Sequence, residues 1–437
     1  MTSPFERLPA EVFDIIAAYL DLPEYQTVRL SSQRLHLLSL STFTKKYFTK
    51  IITTLGSPSL DRLVQVANHS HLSRLVTTLE IRLLNHRNYK DLGKIARIGI
   101  FPPPKRFPKV SCVRNQDIVQ ESTLYDDVLA NRQTKCITER LTRGLRRLSN
   151  LTAIRFRAHD IEPLGWKTIA VPEGDEVFRS RCLRAVLDAI CGSGITLSTF
   201  TMGKEKGSTL SKCANVPYPA LQLPLEYMQR LRPSFEALTH LTLSVVASHN
   251  GHHRLPGWEN GLSRFVSSAP GLTSLSLSLD RKVQVSQYGA RVMRSLSDTT
   301  HLERLSRLQI FNTTVHESDL NKFVKTHAET LQVINVTNVC LLTGYWLTLL
   351  SAFKSVEKLE TLRLSSIEGM GSPVVGVELA EDGQGAVRFR QREKERRKVM
   401  LDIARSGRDM RAMLDELVAG CNMNGNVATM YAMSAVS

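Results

Sequence analysis

One phrase, Leu-x-x-Leu-x-Leu with Ile, Val, Met or Phe as stand-ins, recurs through most of the 437 residues and restricts the available folds more than any other feature. It occurs at Leu151/Ile154/Phe156, Leu197/Phe200/Met202, Leu238/Leu241/Leu243, Leu272/Leu275/Leu277, Leu305/Leu308/Ile310, Leu331/Ile334/Val336 and Leu359/Leu362/Leu364. A related stretch from Leu75 ends in Leu79-Glu80-Ile81. In the second half the phrases start 34, 33, 26 and 28 residues apart; earlier gaps are longer and irregular. The final alternating pair places two side chains on one face of a strand, and the leading leucine turns the chain into it. Helix-like segments lie between, at Leu262 to Ser268, Gly289 to Leu296 and Leu320 to His327. One strand and one helix cannot bury their own apolar faces. Stacked neighbours can, so the pattern predicts a curved solenoid.

The first fifty residues follow a different rule. Pro9 suits a helix start, where its missing N–H has no intrahelical partner to lose. Glu11 adds negative charge there. Val12, Ile15, Ile16, Tyr19 and Leu20 then form a helical apolar stripe, which Asp21-Leu22-Pro23 ends. A second short helix carries Tyr25, Val28 and Leu30, and a third carries Leu35, Leu38 and Phe43. A piece of this size rarely closes a core alone. It is expected to borrow a partner's surface.

The series Leu8-Pro9-x-Glu11, Ile15, Tyr19-Leu20-Asp21-Leu22-Pro23 and Val28-Arg29-Leu30-Ser31-Ser32-x-Arg34-Leu35 resembles an F-box, especially those of the large fungal F-box families. Gln33 stands where that family commonly has a basic residue, and no tryptophan follows Arg34. The resemblance implies three helices that dock onto a Skp-family adaptor, itself held by a cullin. It assigns the adaptor-binding role to Leu8, Pro9, Ile15, Leu20, Leu22, Tyr25, Val28, Leu30 and Leu35. The repeats in turn resemble irregular leucine-rich repeats, which often follow an F-box. The asparagine ladder of that family is not expected, because Asn312 and Asn338 fall seven residues after their leading leucines instead of eight.

The fold expectation is therefore α/β, in three parts: a three-helix F-box over 1–50, a leucine-rich-repeat-like recognition domain over 51–368, and a linker with a basic C-terminal helix and tail over 369–437. That helix is expected from Val387 to about Val418. Its first half is rich in arginine (Arg388, Arg390, Arg392, Arg396, Arg397), and its second half places Met400, Ile403, Met410, Leu414 and Leu417 on one seam. Pro-rich and Gly-rich stretches, 101–108, 203–224 and 248–253, read as loops. The uncharged run Thr330 to Phe353 is long enough to span a bilayer, but Gln332, Asn335, Asn338 and Gly344 interrupt it. A strand followed by a buried helix from Tyr345 to Phe353 is the expectation, and no membrane span.

Seven cysteines stand singly with no Cys-x-x-Cys, which fits reduced intracellular thiols, no zinc-built ligase domain and no metal site. No signal peptide is visible, so the expected location is cytoplasmic, nuclear or both. No nucleophile elbow or phosphate loop appears, and His249, His252 and His253 lack a completing ligand, so no catalysis and no cofactor are expected. The net charge of +16 could attract nucleic acid or an acidic partner, yet no basic stretch is interleaved with aromatic residues. These readings converge on a non-catalytic substrate-receptor subunit of an SCF-type cullin-RING ubiquitin ligase, with an unknown protein target. Two other classes stand beside it: a repeat scaffold that works without a cullin, and a basic nucleic-acid-binding repeat protein.

Overall fold

The computed structural model describes residues 4–84, 86–98, 115–158, 173–202, 216–246, 257–279, 287–344, 346–365, 367–369, 387–391 and 399–406, with 410, 412, 414 and 415. Three helices open the chain, α1 (Ala10–Tyr19), α2 (Leu22–Ser31) and α3 (Gln33–Phe48). After them come β1 (Lys50–Thr53), α4 (Ser57–Asn68), β2 (Thr78–Leu83), α5 (His86–Ile98), α6 (Ile118–Ser122), α7 (Leu124–Leu129), α8 (Thr134–Leu145), β3 (Ala153–Ala158), α9 (Glu173–Ser193) and β4 (Thr199–Thr201). The second half alternates more regularly: β5 (Val216–Pro217), α10 (Leu225–Phe235), β6 (His240–Val246), α11 (Asn260–Ser267), β7 (Ser274–Leu279), α12 (Gln287–Thr299), β8 (Arg307–His316), α13 (Glu317–Thr326), β9 (Val333–Thr343), α14 (Trp346–Lys354) and β10 (Thr361–Ser365). Three further strands follow, β11 (Glu368–Gly369), β12 (Val387–Gln391) and β13 (Val399–Ser406).

The architecture is mixed α/β, built on one mostly parallel sheet. Its path runs β1-β2-β3-β4-β6-β7-β8-β9-β10, with β5 beside β6 and β11 beside β9. Every recurring phrase became a strand, and the register aligns them. Leu79, Ile154, Phe200, Leu241, Leu275, Leu308, Ile334 and Leu362 occupy one line across eight strands. All eight are buried in the main core, together with residues from the helices between them. The leading leucines are buried too, and the residue after each begins the ladder: Ser198 donates to the Thr152 carbonyl, Thr239 to Ser198, Thr273 to Thr239, Ser306 to Thr273 and Gln332 to Ser306. That is how the leading leucine turns the chain into its strand: its side chain is anchored inside while the next N–H reaches the neighbouring repeat.

Close packing sets some identities. A Cβ on Gly289 of α12 would overlap Thr313 Oγ1 and the Thr314 carbonyl, so only glycine lets this helix approach β8 so nearly. Two asparagines and a serine on neighbouring strands link through their side chains. Asn338 Nδ2 donates to Asn312 Oδ1 (2.7 Å), and Asn312 Nδ2 donates to Ser278 Oγ (3.3 Å). Both asparagines adopt left-handed backbone (φ 50° and 56°), which swings them out of the pleat and into line.

The uncharged run resolves as β9 followed by α14, and among the described residues no helix is long and apolar enough to cross a membrane. The C-terminal helix is corrected. Over 387–391 and 399–406 the chain forms β12 and β13, an antiparallel pair laid on the outer edge of β10. Val387-Arg388-Phe389-Arg390-Gln391 alternates with period two, and the open edge of β10 offers a ladder that a lone helix would leave unpaired. Residues 410, 412, 414 and 415 are helical, and Met410 and Leu414 join the main core, whereas Met400 and Ile403 of the expected helical seam lie in β13. Lys354 and Asp415 form an ion pair there. Most of the Pro-rich and Gly-rich stretches (101–108, 203–215 and 248–253), the three clustered histidines and residues 392–398 lie outside the described residues.

Candidate docking face on the N-terminal helices

The first three helices have a core of their own, separate from that of the sheet. Phe13, Ala17, Tyr25 and Leu35 are buried in it, and Phe5, Leu20, Val28, Leu38, Phe43 and Tyr47 pack around them. Helix α3 is the middle element, touching both α1 and α2. Its Phe43 and Tyr47 enclose the Tyr25 ring, with centroids 5.4 and 5.9 Å away. The Tyr25 hydroxyl donates to the Ser39 carbonyl (3.2 Å). Burial, with Asp14 nearby, raises its pKa above that of a free tyrosine. The Arg29 guanidinium lies over the Phe43 ring at 4.1 Å, and its own burial lowers its pKa.

Local chemistry fixes the corners. Asp21 ends α1 and caps α2 through a reciprocal pair: the Glu24 N–H donates to Asp21 Oδ1 (2.9 Å), and the Asp21 N–H donates to Glu24 Oε2 (2.8 Å). The Ser32 hydroxyl accepts from the Leu35 N–H at the start of α3 (3.2 Å). Lys46 donates to the Ala18 and Leu20 carbonyls (3.0 and 2.8 Å), placing a cation at the negative end of α1. Thr42 donates to Asp14 across the α1–α3 contact.

What it leaves outside is unusual. Ile15 is 63% exposed, Tyr19 87%, Leu30 87%, Leu37 64% and Val12 41%. On α1 the inward residues are Phe13, Ala17 and Leu20, while Val12, Ile15 and Tyr19 share a second face roughly 120° around the helix. A helix apolar on two faces is normally buried on both. Here the second face meets solvent.

The nine residues assigned from sequence divide accordingly. Ile15, Leu30 and Pro9 are exposed, and Leu8 is half-buried. Leu20 and Val28 lean on the small core. Tyr25 and Leu35 face inward, where they hold the three helices together and offer a partner nothing directly. The Leu22 side chain lies outside the described residues. Leu37 was missed. Its signal was the Leu37-Leu38 pair, since adjacent residues on a helix lie about 100° apart and cannot both point inward. No protein-family model matches the chain, and comparison with curated proteins finds no match.

Proposed function

We propose that this chain is the substrate-receptor subunit of an SCF-type cullin-RING ubiquitin ligase, docking a Skp-family adaptor through α1–α3 and holding a target protein on its repeats, read as an irregular leucine-rich-repeat solenoid. The observation that carries the reading is the exposed apolar set Val12, Ile15, Tyr19, Leu30 and Leu37 on a unit that already has a closed core. Burying one such side chain is worth about 1.5–3 kcal/mol, so the set supplies the energy of a specific interface. The chain's contribution would be proximity: a tethered target meets the conjugating enzyme at high effective concentration, and transfer happens on other subunits.

The test is adaptor capture by the full-length chain carrying Ile15→Asp and Tyr19→Asp. Both positions are exposed, so circular dichroism should be unchanged while recovery of a Skp-type adaptor is lost. Undiminished recovery would refute the docking face. Capture of the adaptor without a neddylated cullin would instead favour a scaffold role.

A further inference from the structure

The face of the sheet opposite the main core differs between its two ends. On the first strands three cations are already committed. Arg82 Nε and Arg157 Nη1 meet one oxygen of buried Glu80 (2.6 and 2.9 Å), and Lys50 pairs with the other. Burial works to raise the pKa of Glu80, but hydrogen bonds from Lys50 and Arg82 and the nearby guanidiniums outweigh it and bring it down to about 2.

On β8, β9 and β10 the same face meets solvent. Register sets six of its residues in two rows: Arg307, Val333 and Thr361, then Gln309, Asn335 and Arg363. Arg307 and Arg363 are exposed, the other four are half-buried, and none is acidic. Neither guanidinium has an ion-pair or hydrogen-bond partner among the described residues. The acidic position of the neighbouring β12–β13 pair, Asp402, stands opposite Arg388 in the register.

The two free guanidiniums occupy opposite corners of the patch. Two strand spacings across and two residues along put their Cα atoms about 12 Å apart. In an extended peptide, residues i and i+4 lie about 13 Å apart with both side chains on one face. The line between the corners passes over Val333 and Asn335, so residue i+2 of such a peptide meets an apolar side chain. Thr337 Oγ1 donates to Asn335 Oδ1 (3.0 Å), which leaves Asn335 Nδ2, like the Gln309 amide, to bond a passing backbone. Each guanidinium can take a carboxylate through two parallel N–H···O bonds. Phe311 is the one Phe, Tyr or Trp on this face of β8 to β10, and a nucleic-acid strand would need successive rings on which to stack.

We propose that this patch binds an extended acidic peptide segment, with carboxylates at i and i+4 on Arg307 and Arg363 and an apolar residue at i+2 over Val333. That the segment belongs to the protein selected for ubiquitin transfer rests on the reading above; the binding itself does not.

The experiment is fluorescence anisotropy with the full-length chain and four labelled probes of equal length. They are a peptide containing Glu-x-Leu-x-Glu, the same composition with its two glutamates adjacent, a peptide with lysines in their place, and a single-stranded RNA. The spaced peptide should bind about tenfold tighter than the adjacent one, the worth of one charge-assisted contact, and the lysine peptide should not bind. Arg307→Glu and Arg363→Glu should each weaken the spaced peptide by about tenfold or more. Lys325→Glu, which alters an exposed charge on the helix layer, should leave its affinity unchanged. The Arg363→Glu chain should come to prefer a peptide in which one of the two glutamates is lysine. No binding, equal binding of the spaced and adjacent peptides, or an equal loss in the Lys325→Glu chain overturns the proposal. The peptide comparison needs no substitution, so it decides the matter even where a variant fails to fold. RNA binding tighter than the spaced peptide overturns it in favour of a nucleic-acid face. The Ile15→Asp/Tyr19→Asp chain should keep peptide binding, and the Arg363→Glu chain should keep adaptor capture, so either site can fail without the other.

Discussion

The N-terminal helices and the sheet solve the same problem in opposite ways. The sheet buries an unbroken line of leucines and their equivalents on one face and carries mostly polar and charged residues on the other. The three helices bury four side chains fully and leave five large apolar ones outside, out of nine such exposed residues among those described. Repeats can bury most of their apolar surface because each has a neighbour of its own kind. The three-helix unit has a small core of its own and keeps a second apolar face outside it. The contrast separates a sheet whose apolar line is covered from a helical unit that has a core and an exposed apolar face besides.

Glu80→Gln makes the hardest test of the sheet side. It leaves Lys50, Arg82 and Arg157 without their counter-charge in a half-buried setting, and a loss of about 3–5 kcal/mol is expected from denaturant unfolding. In the unaltered chain, the folded pKa of about 2 lies below the ordinary 4.5. This contribution is therefore complete above about pH 4.5 and lost as pH falls towards 2.

Tyr25→Ala is the matching test of the helices. Removing the ring between Phe43 and Tyr47 should cost about 3 kcal/mol. Because the two cores are separate, amide exchange should rise across α1–α3 while the sheet's protection holds. A uniform loss across both regions would erase the distinction.

A third, smaller effect is set by Glu121, buried at the end of α6 with Thr54 donating to Oε2 (3.0 Å). Burial raises its pKa to about 7, above the ordinary 4.5. The folded state holds that proton more tightly, so stability is greatest below about pH 4.5 and declines up to about pH 7. Glu121→Gln should abolish the decline and gain about 2–3 kcal/mol at pH 8, read from urea curves at pH 4.5, 6 and 8. Least affected should be the chain with Ile15→Ser and Tyr19→Ser, whose stability should stay within about 0.5 kcal/mol of the parent because both side chains lie outside. A larger loss would mean that this face is already covered by the chain itself.

Much of the fold was legible in the residues. Leu-x-x-Leu-x-Leu named its strands because period-two alternation after a buried anchor has few other solutions, and the helix after β9 followed from the same logic. The strands β12 and β13 were not legible. Arg388 to Lys398 carries charge enough to suit an exposed helix, and only the free edge of β10 makes strand pairing the better use of that backbone. The site was half legible: the stripe Val12, Ile15, Tyr19 was visible, but an apolar residue looks the same in sequence whether it points in or out. Tyr25 and Leu35 were therefore grouped with Ile15 and Leu30, although they lie on opposite sides of the helices.

By itself the sequence determined a series of strand-forming phrases, the helices between them and a separate leader of three short helices, because periodicity and capping act over a few residues. Only the tertiary structure decided which leucines close each core, that Asn312 and Asn338 stack, and that Lys50, Arg82 and Arg157 gather on Glu80. Those outcomes depend on register between strands up to about a hundred residues apart, and no local pattern carries that information.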